Sequence, residues 1–502
     1  MTAVAARPDA PPVVSGSSRR PPRSAPPGPA GAWVWALAAV VLGGAAAVWP
    51  LPAVAVLGGA AILALAFTAP YVTAALAALA VLFVRPVEHL VPIAQLGYLD
   101  EGLVVLCAVT MPLRRVLSRR PLRNLPGQWW FAAFLVCGVL SALVLHVPAA
   151  IFLTGAFVIA KGLLFGWAVA QLDWTERHLA VAVRVGTVLI LLSLAAAAVN
   201  VAIPGAWQAL MASDANAVES RSFLPSLIGP FSHPIDFGQF MALSFLAVAA
   251  WRTTVRKGPL TFVLLLATAL CALGTARRTA AGSIAAAWLW MQLKVRSTAV
   301  LVALAACLPV AVVALASPVS TIVAVTYHDY LGKGTPEART VLTVDSFKIA
   351  AGYFPGGAGF GRFGSAVAAE NYSPEYVALG YPTVWGLGRT EEDGRFLTDT
   401  EWPAIIGESG FLGALAFAVG LAGIYRFGLR LWRTGPTRLA RWAGLTSAAW
   451  LVAGLVQSVA TVTFTGPPVY GLIFGLAGVV AALSDPVHRD AAPVRAGRRP
   501  DR

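Results

Sequence analysis

Apolar runs of membrane-spanning length recur almost from end to end of this chain, and nothing else limits its fold as strongly. A helix needs ~20 apolar residues to cross the hydrocarbon core. Runs near that length lie at 31–49, 51–67, 69–84, 98–113, 128–147, 150–171, 178–203, 235–250, 259–276, 280–293, 298–317, 403–424, 442–463 and 467–483, about fourteen in all. Apolar residues are 58% of the 502 and charged residues 12%, with a mean hydropathy of +0.73. A soluble domain cannot hide that much apolar surface. The expected fold is an all-α polytopic membrane protein. Many spans follow the run at 31–49, so it reads as the first span rather than a cleaved leader.

Net charge is +14, which taken alone would suit nucleic acid. Its distribution argues for topology instead. With the N-terminal tail inside, alternate loops collect the arginines, as cytoplasmic loops do. Arg114–Arg123, Arg252–Lys257, Lys294–Arg296, Arg426–Arg441 and Arg489–Arg502 all fall inside, so that about 25 of the 37 Lys and Arg are cytoplasmic. Both termini are expected in the cytoplasm, and no nucleic-acid partner is needed. The bias toward Arg, Ala, Gly and Pro suits a GC-rich bacterial genome, which makes a bacterial plasma membrane the expected location. The four cysteines lie in apolar runs without metal spacing and read as small core residues.

The implied organisation is a disordered tail at 1–30, spans one to eleven over 31–316, and an outer loop at 204–234 between two of them. A large extracytoplasmic segment at 317–402 follows, then spans twelve to fourteen over 403–484 and a second disordered tail at 485–502. The 317–402 segment is longer than a helix connection requires, which marks it as functional or disordered. It holds an amphipathic stretch, Glu337 to Tyr353, whose Val341, Val344, Phe347 and Ala351 recur at helical spacing. A folded cap on the outer face is expected.

Arginines on the outer side break the charge rule. Arg277 and Arg278 occupy a tight turn between two spans, Arg221 lies in the first outer loop, and Arg339, Arg362, Arg389 and Arg395 lie in the large one. Guanidinium groups hold phosphate oxygens bidentately; snorkelling to lipid headgroups is the plainer account. Asp399 and Glu401 stand just before the span that opens at Pro403. Either is placed to take a proton from a sugar hydroxyl, or to cap the helix. Glu408, one turn deeper, is a functional or packing candidate because acidic residues inside spans are costly. Lys161 sits mid-span and needs an internal partner that the sequence does not name. The run from Gly356 to Gly364 lacks the strand that a dinucleotide fingerprint requires. It reads as a tight loop whose N–H groups can approach an anion. No cluster has metal-ligand spacing, and no cofactor is expected.

Taken together, these pieces resemble the bacterial O-antigen ligase and polysaccharide polymerase superfamily over roughly Phe223 to Ile424. The resemblance rests on Gly229-Pro-Phe-Ser-His-Pro-Ile-Asp236 with its His233, on the Arg277–Arg278 turn and on Arg339. It continues through Pro355–Phe363 and Asp399-Thr-Glu-Trp402 into Gly407–Gly413. It implies a helical fold like that of lipid-dependent membrane glycosyltransferases. It further implies transfer of a glycan from a polyprenyl diphosphate carrier to an acceptor hydroxyl, with outward arginines holding the diphosphate. Membrane lipid and other envelope polysaccharide proteins are the further partners it implies. Ligases carry a histidine late in the large loop; here Asp399-Thr-Glu stands at that place, which favours a polymerase or another transferase of the superfamily over lipid-A-core ligation. A diphosphate already leaves well, so cations and one base suffice and no metal is required. The competing expectation is a transporter or flippase of lipid-linked oligosaccharides, which would place its substrate near the midplane between internal repeats.

Overall fold

The computed structural model describes residues 50–91, 93–213, 226–295, 338–390 and 392–485. The tail at 1–30, the span at 31–49, Arg221, the span at 298–317, the start of the cap with His328, and the segment after Asp485 lie outside the described residues. The chain divides into two compact units, Met1–Ile62 and Leu63–Arg502. The packing below belongs to the second.

All regular structure among the described residues is helical. The helices are α1 (Pro50–Thr68), α2 (Pro70–Leu90), α3 (Leu99–Leu117), α4 (Gln128–Val144), α5 (Ala149–Ala170), α6 (Glu176–Ala202), α7 (Pro204–Met211), α8 (Pro234–Thr254), α9 (Pro259–Gly274) and α10 (Arg278–Val295). They continue with α11 (Ala338–Gly352), α12 (Ala366–Glu370), α13 (Pro374–Ala378), α14 (Glu401–Thr434), α15 (Arg438–Gln457) and α16 (Val469–Ser484). Every expected span that falls on described residues corresponds to one of these helices. Seven segments are long and apolar enough to cross a membrane: Pro70–Leu90, Gln95–Leu117, Ala149–Ala170, Glu176–Ala202, Pro234–Thr254, Glu401–Thr434 and Arg438–Gln457.

Local chemistry sets the helix starts. Proline opens α2, α7, α8 and α9, where its missing N–H costs nothing. Thr175 and Thr437 cap α6 and α15 through their hydroxyls. Several boundaries differ from the sequence reading: α2 runs on to Leu90, and α15 covers Arg438–Gln457 rather than 442–463. α14 runs on to Thr434, beyond the expected end at 424: its one glycine there, Gly428, is tolerated where α15 packs close through Gly444 and Ala448, and the stop comes at Gly435-Pro436. The outer segment at 204–234 holds the short helix α7 and a stretch pinned by Asn200, which accepts from the N–H of Ile228 at 2.9 Å and of Gly229 at 3.4 Å.

α14 packs against α4 and α15, and α16 against α5. Phe131, Phe134, Phe417, Phe464 and Phe474 interlock between them with ring centroids 5.0–6.4 Å apart. At one end of the bundle the loops are basic. There Arg115 and Arg123 are buried and bond Asp173 at 3.1 and 3.0 Å, and Arg120 joins them. Arg123 also reaches Asp485 at 2.8 Å. The opposite end carries the cap.

Asp173 lies outside the spanning segments. Its partial desolvation works against ionisation, but the bond from Arg115 and the charges of Arg123 and Arg120 outweigh it and hold the carboxyl below its ordinary value. A depressed acid contributes stability above its unfolded-state pKa and loses it as pH falls through the folded one. Asp173→Asn should therefore lower thermal stability at pH 7. The gap from the parent protein should close as pH drops below about 4, the unperturbed range of the group. A gap independent of pH would mean that the side chain acts through packing alone.

Candidate functional site

The cap has a core of its own, built from Leu342, Ile349, Phe363, Tyr376, Tyr381, Leu387 and Leu397. Tyr376 and Tyr381 stack at 5.2 Å and 15°. Tyr381 donates to Asp345 at 3.1 Å; burial first, then the charge of Asp345, push its phenol above the ordinary value, so it stays a donor. Of the four apolar positions at helical spacing, Val341 packs against this core. Leu342, Asp345, Ser346 and Ile349 face inward, whereas Val344 and Phe347 are each 48% exposed and Ala351 is exposed. The other three positions mark the outward face, because the inward one is partly polar and satisfied within the cap.

The glycine-rich run locks the cap to the bundle. α14 breaks at Gly410, whose φ of 68° and ψ of −175° interrupt the helix. A Cβ there would lie 2.2 Å from the carbonyl oxygen of Gly356, so only glycine fits. Into this break the run inserts: Ala358 N–H bonds the Gly407 carbonyl at 2.8 Å and Gly359 N–H the Glu408 carbonyl at 3.0 Å. Phe360 reaches the ring of Phe134 at 5.6 Å. Backbone N–H groups of the run do converge on an acidic side chain, which belongs to the chain itself. The Glu408 carboxylate takes Arg362 N–H at 3.0 Å, Phe363 N–H at 3.1 Å and Ser365 Oγ at 2.6 Å, and is fully buried. Glu408 thus clasps the run through Oε1, while its buried Oε2 takes no hydrogen bond among the described residues.

Two more candidates turn inward for similar reasons. Arg362 makes a bidentate pair with Glu375, at 2.8 and 2.5 Å, inside the cap. Glu401, 1% exposed, accepts from the N–H of Thr463 at 2.7 Å, the N–H of Phe464 at 3.0 Å and the hydroxyl of Thr465 at 2.8 Å. It fastens the α15–α16 connection, with both oxygens engaged. Neither Glu401 nor Asp399 caps α14; Thr400 occupies the cap position.

Asp399 is the part-exposed carboxylate of the three. Arg339, at the start of α11, bonds its Oδ2 through Nε at 3.1 Å and Nη2 at 2.5 Å. About a quarter of each side chain remains exposed, 24% for Arg339 and 28% for Asp399. The Arg339 guanidinium lies over Phe396, and Phe396 packs at 5.3 Å against Trp385, which is 73% exposed. An arginine, a carboxylate and an open indole are therefore contiguous on the cap.

The other arginines stand at the same end of the bundle. Arg278 opens α10, five residues before Ser283, which accepts from Gln457 at 3.0 Å. Ser458, next in the chain, accepts from Trp402 Nε1 at 3.0 Å, three residues beyond Asp399. His233 caps α8, its Nδ1 accepting from Ile235 N–H at 3.1 Å. In the same turn Asp236, 2% exposed, holds Arg85 at 2.9 and 3.1 Å. The structure thus places His233 near the end of α2 and the Arg277–Arg278 turn near the end of α15. Arg221 lies outside the described residues.

Sequence reasoning passed over Arg85, Asp236 as its anchor, and Glu375. Arg85 had a signal, a lone cation ending an apolar run on the outer side by parity. Lys161 now has its partners: Glu101 at 2.9 Å and Asp100 at 3.6 Å, with Tyr470 donating to Asp100 at 3.0 Å. No group of metal-ligating side chains occurs among the described residues. No protein-family model matches the chain, and no curated protein matches it.

Proposed function

We propose that this protein is a membrane glycosyltransferase that moves a glycan from a polyprenyl diphosphate carrier to an acceptor hydroxyl at the cap end of the bundle. The observation that carries the reading is the Arg339–Asp399 pair, part-exposed where the cap joins α14 and continuous with the open face of Trp385. In this reaction the Asp399 carboxylate takes the acceptor proton and the acceptor oxygen bonds the anomeric carbon. The bond from that carbon to the diphosphate breaks, and the carrier diphosphate leaves with the bonding pair. The anomeric centre inverts. Arg339 holds Asp399 in place and supplies positive charge beside the diphosphate, with Arg277 and Arg278 as further cations at this end. Trp385 provides a flat apolar surface of the sort on which sugar rings lie.

A transporter would use a broken helix to line a substrate cavity. α14 is broken at Gly410, but the gap is filled by the backbone of Gly356 and Gly357. That observation favours the enzyme over the transporter.

The reading requires the cap to face away from the cytoplasm, in keeping with the basic loops at the opposite end. Glu370 is exposed at the end of α12 and serves as a reporter. With Cys107, Cys137, Cys271 and Cys307 replaced, Glu370→Cys should react with a membrane-impermeant maleimide in intact cells. Labelling only after lysis would place the cap inside and end this assignment.

A further inference from the structure

A cavity of about 570 Å³ lies beside α6, walled otherwise by α2, α5, α8, α9, α15 and α16. It runs from Tyr71 to Leu82 along α2, about 16 Å at a rise of ~1.5 Å per residue. Its walls are almost wholly apolar, and small residues such as Ala74, Ala78, Ala182 and Gly186 keep it open. At the cap end it stops at Leu82, Ile190 and Phe240, where the rings of Phe231 and Phe237 pack above it. At the basic end the lining changes. Tyr71, Trp174, His178, Trp251 and Trp442 form an aromatic ring, and Arg256 enters the wall.

We propose that this cavity binds one chain of an anionic membrane phospholipid, its phosphate held at the basic end by Arg256. Three features select that occupant. The cavity lies among helices of membrane-spanning length, so what reaches it laterally is hydrocarbon, and an apolar cavity gives water no partners. The aromatic ring is fixed in advance, as interfacial residues at the headgroup level would be. Trp442 Nε1 is tied to Ala247 O at 2.9 Å and Trp174 Nε1 to Val169 O at 3.1 Å. Tyr71 stacks on His178 at 3.9 Å and donates to Asp173 O at 2.6 Å. The charge at this mouth is positive. Arg256 is exposed with Lys257 beside it, and among the described residues neither forms an ion pair. Asp173, the nearest acid past the ring, is already held by three arginines. Glu176, in the first turn of α6, is the remaining carboxylate there. Cations so placed attract anionic headgroups.

Gly186 offers a clean way to fill the cavity, because a Cβ there meets nothing within 4 Å. Purified protein, exchanged into mixed micelles of equal phosphatidylglycerol and phosphatidylethanolamine, is weighed by native mass spectrometry. The parent chain should retain one phosphatidylglycerol in clear excess over phosphatidylethanolamine. Gly186→Trp should retain neither, while Leu192→Trp, on the outward side of α6 at 62% exposure, should behave as the parent. Arg256→Ala should keep a lipid but lose the preference between headgroups. Equal retention of the two lipids by the parent chain overturns the anionic assignment. Unchanged retention by Gly186→Trp overturns the site. A parent chain that exchanges phosphatidylglycerol for added polyprenyl phosphate identifies a carrier site and overturns the phospholipid. Should Gly186→Trp fail to fold, Ala182→Leu fills the same wall, and the headgroup competition on the parent chain stands by itself. None of these readings depends on glycan transfer.

Discussion

Replacing Arg339 with alanine should lower glycan transfer about a hundredfold, because a lost cationic donor at developing charge costs ~3 kcal/mol. Lysine at this position should recover only part of the rate. It keeps the charge but cannot make the two-nitrogen contact that Arg339 makes to Asp399 Oδ2. Asp399→Asn removes the basic oxygen and keeps the size of the side chain, so turnover should fall at least as far while the lipid-linked donor still binds. The two residues touch, and paired groups acting in one step are not additive. The double variant should thus be little worse than Asp399→Asn alone. Proteoliposomes supplied with lipid-linked oligosaccharide, and product lengths resolved on a gel, give the rates; a binding assay with the same donor gives the affinity. Near-normal transfer by both single variants would remove this pair from the chemistry. Fully additive losses would mean that they act in separate steps. Glu401→Gln provides the contrast: it should lower stability more than transfer, since its carboxylate fastens Thr463, Phe464 and Thr465.

The helical, membrane-spanning character of the chain was legible because it depends on a one-dimensional quantity, apolar length, and helix positions followed run by run. The cap was harder. α11 fooled the apolar period because Asp345, inside the cap, is satisfied by Tyr381. A hydrogen bond between residues 36 apart leaves no periodic trace. The acids divided in the same way. Glu401, Glu408 and Asp399 look alike in sequence, each near the start of one span, yet the first two are buried and held by backbone N–H and hydroxyl donors, while the third stays part-exposed. What separates them is the path of the Gly356–Gly364 run and of the α15–α16 connection, which is long-range information. The glycines of that run were informative about the need for close approach, but not about what approaches. Arg85 was hidden for a simpler reason: its partner lies 151 residues away, in the first turn of α8.

The largest effect on stability is expected at Lys161. Its ammonium lies inside the bundle, 6% exposed, 2.9 Å from Glu101 and 3.6 Å from Asp100, with the Tyr470 ring 5.4 Å away. Breaking a buried pair by removing one partner costs ~3–5 kcal/mol, because the remaining charge is left without compensation. Lys161→Met keeps the length and the apolar stem, so packing against α3 and α16 should persist and the loss should be electrostatic. Asp100 is the more enclosed of the two acids, its side chain 3% exposed against 23% for that of Glu101, which can still find water. Adding Asp100→Asn to Lys161→Met should therefore restore more stability than adding Glu101→Gln. The triple variant should come close to the parent, since a buried ion pair is often replaceable by neutral groups at little cost. Tyr470→Phe removes a single bond to Asp100 and should cost about 1 kcal/mol. Thermal unfolding of the purified protein in detergent, followed by tryptophan fluorescence, orders the five variants. If Lys161→Met alone unfolds with the parent, the network holds nothing together. If the Asp100→Asn combination is the least stable of the set, the ammonium is not what that carboxylate depends on.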